Sequence, residues 1–128
     1  MPDSNTPTPP TPTTVFHDDR TTLADCKALV ARFVAERDWA RHHRPKNLAM
    51  SIAIEAAELM EHFQWPEGET PDAVRNDAER MQGVREELSD VLAYCFSLAN
   101  ALEIDLASAY QDKMARNAER YPVGHPGV

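Results

Sequence analysis

Residues 77–102 read DAERMQGVREELSDVLAYCFSLANAL, and the spacing of their apolar side chains decides the fold. At about 100° per residue on a helix, Val84, Leu88, Val91, Cys95, Leu98 and Leu102 fall on one narrow stripe. The stretch is long for a strand and has no two-residue alternation, so it reads as an amphipathic helix.

The same reading extends outward in both directions. A first helix is expected from about Leu23 to Asp38, capped by Thr21 or Thr22, with Leu23, Leu29, Val30, Phe33 and Val34 as its apolar residues. Pro45 cannot sit inside a helix but suits its first turn, so a second helix runs from about Pro45 to Gln64 and stops before Trp65-Pro66-Glu67-Gly68. The polar stretch Glu67 to Asp77 forms the longest connection, and Asp105 caps a last helix that ends near Arg120, before Pro122. No segment alternates like a strand. The expected architecture is all-α, a four-helix bundle spanning residues 21–122.

The chain has 128 residues, a length suited to one domain. Residues 1–20 read as a disordered leader, since the first fourteen hold five of the ten prolines and five threonines and no apolar run. The leader lacks the basic and apolar regions of a signal peptide. No stretch approaches the roughly 18 apolar residues that span a membrane, so a cytoplasmic protein with no membrane partner is expected. Residues 123–128 read as a frayed tail. A formal net charge of -8 disfavours binding to a nucleic-acid polymer. It leaves room for a phosphorylated small molecule, because a bound divalent cation reverses the local charge. Cys26 and Cys95 form no CxxC pair and read as small buried hydrophobes.

Two acidic motifs break the pattern of solvated surface charge: Glu55-Ala56-Ala57-Glu58 and Glu87-Leu88-Ser89-Asp90. Spacing of i,i+3 makes each pair neighbours on a helix. Leu48, Ile52, Leu59 and Phe63 form the stripe of the second helix; Glu55 falls within it and Glu58 at its edge. Glu87 lies beside the stripe of residues 77–102, with Asp90 and Tyr94 along the same flank, whereas Glu61 and Glu86 point away. A carboxylate in an apolar stripe is costly unless something pairs with it. A salt bridge is one partner, a hard cation such as magnesium or manganese another. The spacing of a di-iron Glu-x-x-His bundle is absent, as are a Gly-rich phosphate loop, a nucleophile elbow and an HExxH zinc motif.

Three further groups stand as candidates. Lys113, Asn117, Arg120 and Tyr121 sit at the end of the last helix, where cations suit the helix dipole and could also hold phosphate oxygens. Trp39 and Trp65 flank the second helix; each is either a core or contact residue or a surface on which a base stacks. His42 and His43, beside Arg44 and Lys46, make a small basic patch.

Taken together, the stretches AERDWARHHRPKN, EAAELMEHFQW, REELSDVLAY and KMARNAERYPV resemble the all-α, MazG-like nucleoside triphosphate pyrophosphohydrolases, in particular the dCTP pyrophosphatase branch, from roughly Phe33 to Val123. The mark of that family is E-x-x-E followed by E-x-x-D. The resemblance implies a helical bundle assembled as a homotetramer. It implies hydrolysis of dCTP or a related nucleoside triphosphate to the monophosphate and pyrophosphate, with Mg2+, for which Mn2+ can substitute. It makes Glu55, Glu58, Glu87 and Asp90 the metal ligands, with Glu58 also the candidate to orient or deprotonate the attacking water. It makes Lys113 catalytic through charge neutralisation, with Arg120 beside it. Asn117 and Tyr121 match residues near the phosphates, Trp39, Trp65 and Tyr94 match pocket aromatics, and His43 and Asn47 lie in the same pocket-forming stretch. Ala56 and Ala57 stand where related sequences often carry glycine. Action on dUTP or a broader nucleotide set, and a non-enzymatic helical adaptor, remain the alternatives.

Overall fold

A computed structural model describes residues 15–65 and 70–127; the expectation of a disordered leader over the first fourteen lies outside them. Helix α1 spans Leu23–Glu36. It starts on a capping box, in which Asp25 N–H donates to Thr22 Oγ1 (3.1 Å) and Thr22 N–H donates to Asp25 Oδ2 (2.9 Å). A 3-10 turn over Ala40–His42 leads to α2, Pro45–Glu61, with Pro45 in its first turn. Helix α3, Pro71–Arg75, and helix α4, Ala78–Ala101, are capped by the side chains of Thr70 and Asp77. Helix α5, Leu106–Arg120, is capped by Asp105, as its sequence indicates.

Two helix ends share one device. After α1, Trp39 N–H donates to the Val34 carbonyl and Asp38 N–H to the Ala35 carbonyl; after α4, Ile104 N–H donates to Ala99 and Glu103 N–H to Asn100. These are paired Schellman closures, and they hold Asp38 (φ 54) and Glu103 (φ 53) in the left-handed region that glycine usually fills. The chain turns sharply at both places.

Helix α4 is the hub: α2, α1 and α3 each pack on it, α2 most extensively. The acids of mid-α2 meet those of mid-α4, and His62 at the end of α2 meets Gly83 near the start of α4, so the two helices run antiparallel. Lys27 ties α1 to the far end of α4. Its Nζ donates to the Ile104 carbonyl (2.7 Å), and Asn100 Nδ2 donates to the Lys27 carbonyl (3.0 Å). Helix α5 leaves α4 at 105° and has no packing of comparable extent.

Several expected details differ. The connection before α4 contains α3, whose Val74 is buried against α4. Five residues are too few to show a helical period, so only the Thr-Pro start betrays it. Helix α2 ends at Glu61 and not at Gln64, which leaves Phe63 in a turn and 45% exposed. On α4, Val84, Val91, Cys95 and Leu98 are half-buried as expected, but Leu88 is 49% exposed. The packed face is centred on Glu87, and Leu88 lies about 100° round from it. Residues 15–20, read as leader, form a turn in which His17 N–H donates to Thr21 Oγ1 (2.8 Å). The tail, read as frayed, folds back locally, with His125 N–H on the Pro122 carbonyl and its ring 5.1 Å from that of Tyr121. Among the described residues only Leu48, Val74, Ala99 and Ser97 are buried, while Ile54, Met60 and Met114 are half or more exposed or nearly so (56%, 70% and 47%).

Gly83 leaves room for the His62 ring at the end of α2. A Cβ there would press into the His62 ring, with Nε2 only 2.9 Å away. Alanine should gain about 1 kcal/mol in helix propensity, and that gain should appear only where His62 is also shortened. We expect Gly83→Ala to stabilise a His62→Ala background and to be at least about 1 kcal/mol less favourable beside His62, measured as a double-mutant cycle of melting curves. Equal effects in both backgrounds would rule out this contact as the reason for glycine.

Candidate active site

Antiparallel packing of α2 on α4 turns two i,i+3 pairs into one cluster. Carboxylate oxygens of Glu55, Glu58 and Glu87 all lie within 4.8 Å of one another. Asp90, one turn beyond Glu87, adds its negative charge to Glu55 and Glu87. Glu55 and Glu87 are half-buried, Glu58 and Asp90 exposed. Among the described residues, no lysine or arginine forms an ion pair with any of the four.

The consequences are visible in the acids themselves. Oε2 of Glu55 is buried without a hydrogen-bond partner. Burial, then a hydrogen bond to Glu58, then the charges of Glu58, Asp90 and Glu87, raise the Glu55 carboxyl from 4.5 to about 7. Burial and the Glu58 charge likewise push Glu87 upward. Buried polar atoms in folded proteins are almost always satisfied, and like charges at this range raise one another. An all-oxygen set with an orphaned inner oxygen fits a hard divalent cation. Glu61 and Glu86 stand apart from the cluster: Glu61 lines a separate apolar hollow with Leu59 and Met60, and exposed Glu86 accepts from Gln82 Nε2 (2.8 Å).

Beside the acids opens a cavity of about 820 Å³ between α1 and α4, lined by Glu55, Asp90, His43, Trp39 and Tyr94 among the expected residues. The left-handed turn at Asp38 throws Trp39 back onto α1, where its ring meets Phe33 edge-on at 5.7 Å. Asn47 does not line this cavity. Its Nδ2 donates to the His42 carbonyl (3.2 Å) and so fixes the turn that presents His43.

The remaining candidates lie elsewhere in the chain. Trp65 is 66% exposed and does not line this cavity. Lys113 lies in the middle of α5 and Asn117, Arg120 and Tyr121 at its end, with local contacts: the Arg120 guanidinium 5.3 Å from the Tyr121 ring and Asn117 Nδ2 on Met114 Sδ (3.9 Å). Sequence reading missed Phe16, Cys26, Phe96 and Ser97, which also line the cavity. The Val15-Phe16 pair ending the Pro/Thr stretch was a usable signal for the first of these. Nothing in the pattern marked Ser97, since a serine within an apolar run passes for a small filler.

The sequence profile of the MazG-like family matches residues 50–126, a span containing all four acids, Trp65, Tyr94 and the α5 group. The chain is 42% identical over 102 residues to dCTP pyrophosphatase 1 of Bos taurus, covering 80% of this chain and 60% of that protein. It is also 42% identical, over 101 residues, to dCTP pyrophosphatase 1 of Homo sapiens, covering 79% and 59%. The chain thus spans about 60% of the length of these curated relatives. A solved pyrophosphatase structure from Archaeoglobus fulgidus superposes with a TM-score of 0.69 at 37% identity, covering 84% of this chain and 99% of that one. The helical architecture, the convergent acids and these matches together place this chain in the MazG-like family.

Proposed function

We propose that this chain hydrolyses a deoxynucleoside triphosphate, dCTP or a related pyrimidine nucleotide, to the monophosphate and pyrophosphate in the cytoplasm. The observation that carries this reading is the unpaired acid cluster, with its orphaned Glu55 oxygen, opening onto an aromatic cavity. Similarity to dCTP pyrophosphatase 1 and to a solved pyrophosphatase supports it.

Glu55, Glu58, Glu87 and Asp90 would hold Mg2+, or Mn2+ in its place. Such a cation supplies the positive charge that offsets the triphosphate and favours ionisation of the attacking water. Phosphoanhydride hydrolysis otherwise needs positioning and charge neutralisation more than covalent help from the protein. Glu58, the exposed member of the close triad, orients that water and accepts its proton. Lys113 and Arg120 would neutralise the far phosphates, and Asn117 and Tyr121 hold their oxygens, once assembly of copies brings the α5 group to the acids. Trp39, Tyr94 and His43 enclose the nucleoside, while Asn47 acts through the turn that carries His43, and exposed Trp65, outside the cavity, offers a stacking surface. A homotetramer would cover the apolar side chains left open on α2 and α5.

Three outcomes test this. With magnesium and a panel of deoxynucleoside triphosphates, Glu55→Gln, Glu58→Gln, Glu87→Gln and Asp90→Asn should each lose most turnover, whereas Glu61→Gln and Glu86→Gln should stay near wild type. Pyrophosphate release from all six variants checks it, and silence of the first four would remove the metal site.

The pH dependence of metal-free stability is the second. Glu55 titrates near 7 when folded and near 4.5 otherwise, so its ionised form opposes folding. That penalty is absent below about pH 4.5, grows toward pH 7 and is complete above it. In chelator, Glu55→Gln should therefore match wild type at low pH and melt higher at pH 8. Magnesium should reverse the order at pH 8 by binding only the intact site. A melting difference that does not vary with pH would contradict the cluster's electrostatics. Light scattering at micromolar concentration is the third, with a tetramer mass expected and a monomer mass ruling out the assembly.

A further inference from the structure

Ser97 is the one polar side chain among the buried residues, at 6% exposure, and it lines the cavity between α1 and α4. A serine inside a helix commonly turns its hydroxyl onto the carbonyl four residues back. Ser89, two turns earlier on α4, does so, donating to Arg85 at 2.6 Å. Ser97 does not: among the described residues its hydroxyl has no hydrogen-bond partner. The hydroxyl opens onto the cavity, where it is free to take a partner that arrives with the ligand.

Its place on α4 says which part of a ligand that is. Ser97 is seven residues beyond Asp90, about 20° short of two full turns, and so shares its face, ~10 Å further along the helix at ~1.5 Å per residue. Acids mark one end of the cavity. At the other, the Asn100–Lys27 bond closes α1 onto α4 one turn past Ser97. The wall between is largely apolar and aromatic, with Phe33, Tyr94 and Phe96. A nucleotide with its phosphates at the acids directs its base toward Ser97. In a pyrimidine, C4 lies across the ring from N1, which carries the sugar, so the C4 substituent reaches furthest from the phosphates.

We propose that Ser97 is a base-reading residue, its hydroxyl hydrogen-bonding the exocyclic group on C4 of a pyrimidine nucleotide. This rests on the triphosphate reading above. A hydroxyl both donates and accepts, so Ser97 accepts from the 4-amino group of cytosine and donates to the 4-oxo group of uracil. It supplies affinity for a substituted C4 without choosing between the two.

The test is a cycle between protein and substrate. Wild type and Ser97→Ala, both with magnesium, are assayed on dCTP and on the analogue whose pyrimidin-2-one base carries hydrogen at C4. Alanine fits any slot that serine fills, and melting curves confirm the fold. For wild type, removing the C4 amino group should cost about three- to tenfold in kcat/KM, carried in KM, the range of one neutral hydrogen bond. Ser97→Ala should lose the same factor on dCTP and none on the analogue. Equal slowing on both substrates would make Ser97 structural and overturn the proposal, as would no change on either. Failure of the wild type to hydrolyse any deoxynucleoside triphosphate would overturn the triphosphate reading itself, and the role of Ser97 with it.

Discussion

Four carboxylates brought together without a compensating cation are the constraint on which the molecule turns. Packing α2 against α4 places Glu55 and Glu87 in a half-buried contact that apolar side chains would fill more favourably. The fold tolerates this, and the electrostatic stress is recorded in the raised Glu55 and Glu87 carboxyls and in an inner oxygen with no partner. Such stress concentrates where function requires it.

The surrounding structure positions that contact. Gly83 makes room for the His62 ring at the end of α2, one turn from Glu87. The Lys27 bonds hold α1 at the opposite end of α4, leaving a cavity between them. The two left-handed closures act at range. Asp38 returns Trp39 to the cavity wall, and Glu103 sends α5 away at 105°, taking the cationic group at its end with it. In both, a side chain with a Cβ accepts a backbone geometry that disfavours it by roughly 1–2 kcal/mol, and the paired hydrogen bonds of the Schellman closure offset this.

Much of this was legible in the residues. Four long helices, the caps Thr22 and Asp105, Pro45 in a first turn and the separation of Glu55 from Glu61 all follow from period and capping chemistry. The illegible parts have definable causes. Helix α3 is shorter than the period that would reveal it. The face of α4 was misjudged at Leu88 because hydrophobicity alone centres a stripe on leucine, whereas the contact with α2 is centred on Glu87. Phe16 joins the cavity from a segment whose composition speaks against order. Residues that meet only through tertiary packing, such as Ser97 and the cavity lining of α1, leave no periodic trace.

The cavity's polarity is itself a statement about its ligand. One end carries a dense cluster of negative charge, and the rest of the lining is largely apolar and aromatic, with the Ser97 hydroxyl on it. Taken without a cation, the acidic end repels a phosphate, and the chain's net charge of -8 extends that repulsion over the surface. On the proposed function, a divalent cation held by the acids would invert the sign there. Cation and triphosphate would then favour each other's binding, and thermodynamic reciprocity would make the coupling equal in both directions. An apolar molecule without phosphates would have no use for the acidic end, and a bare polyphosphate none for the aromatic wall. A nucleotide joins the two chemistries in one molecule, in the order in which the helix face presents them.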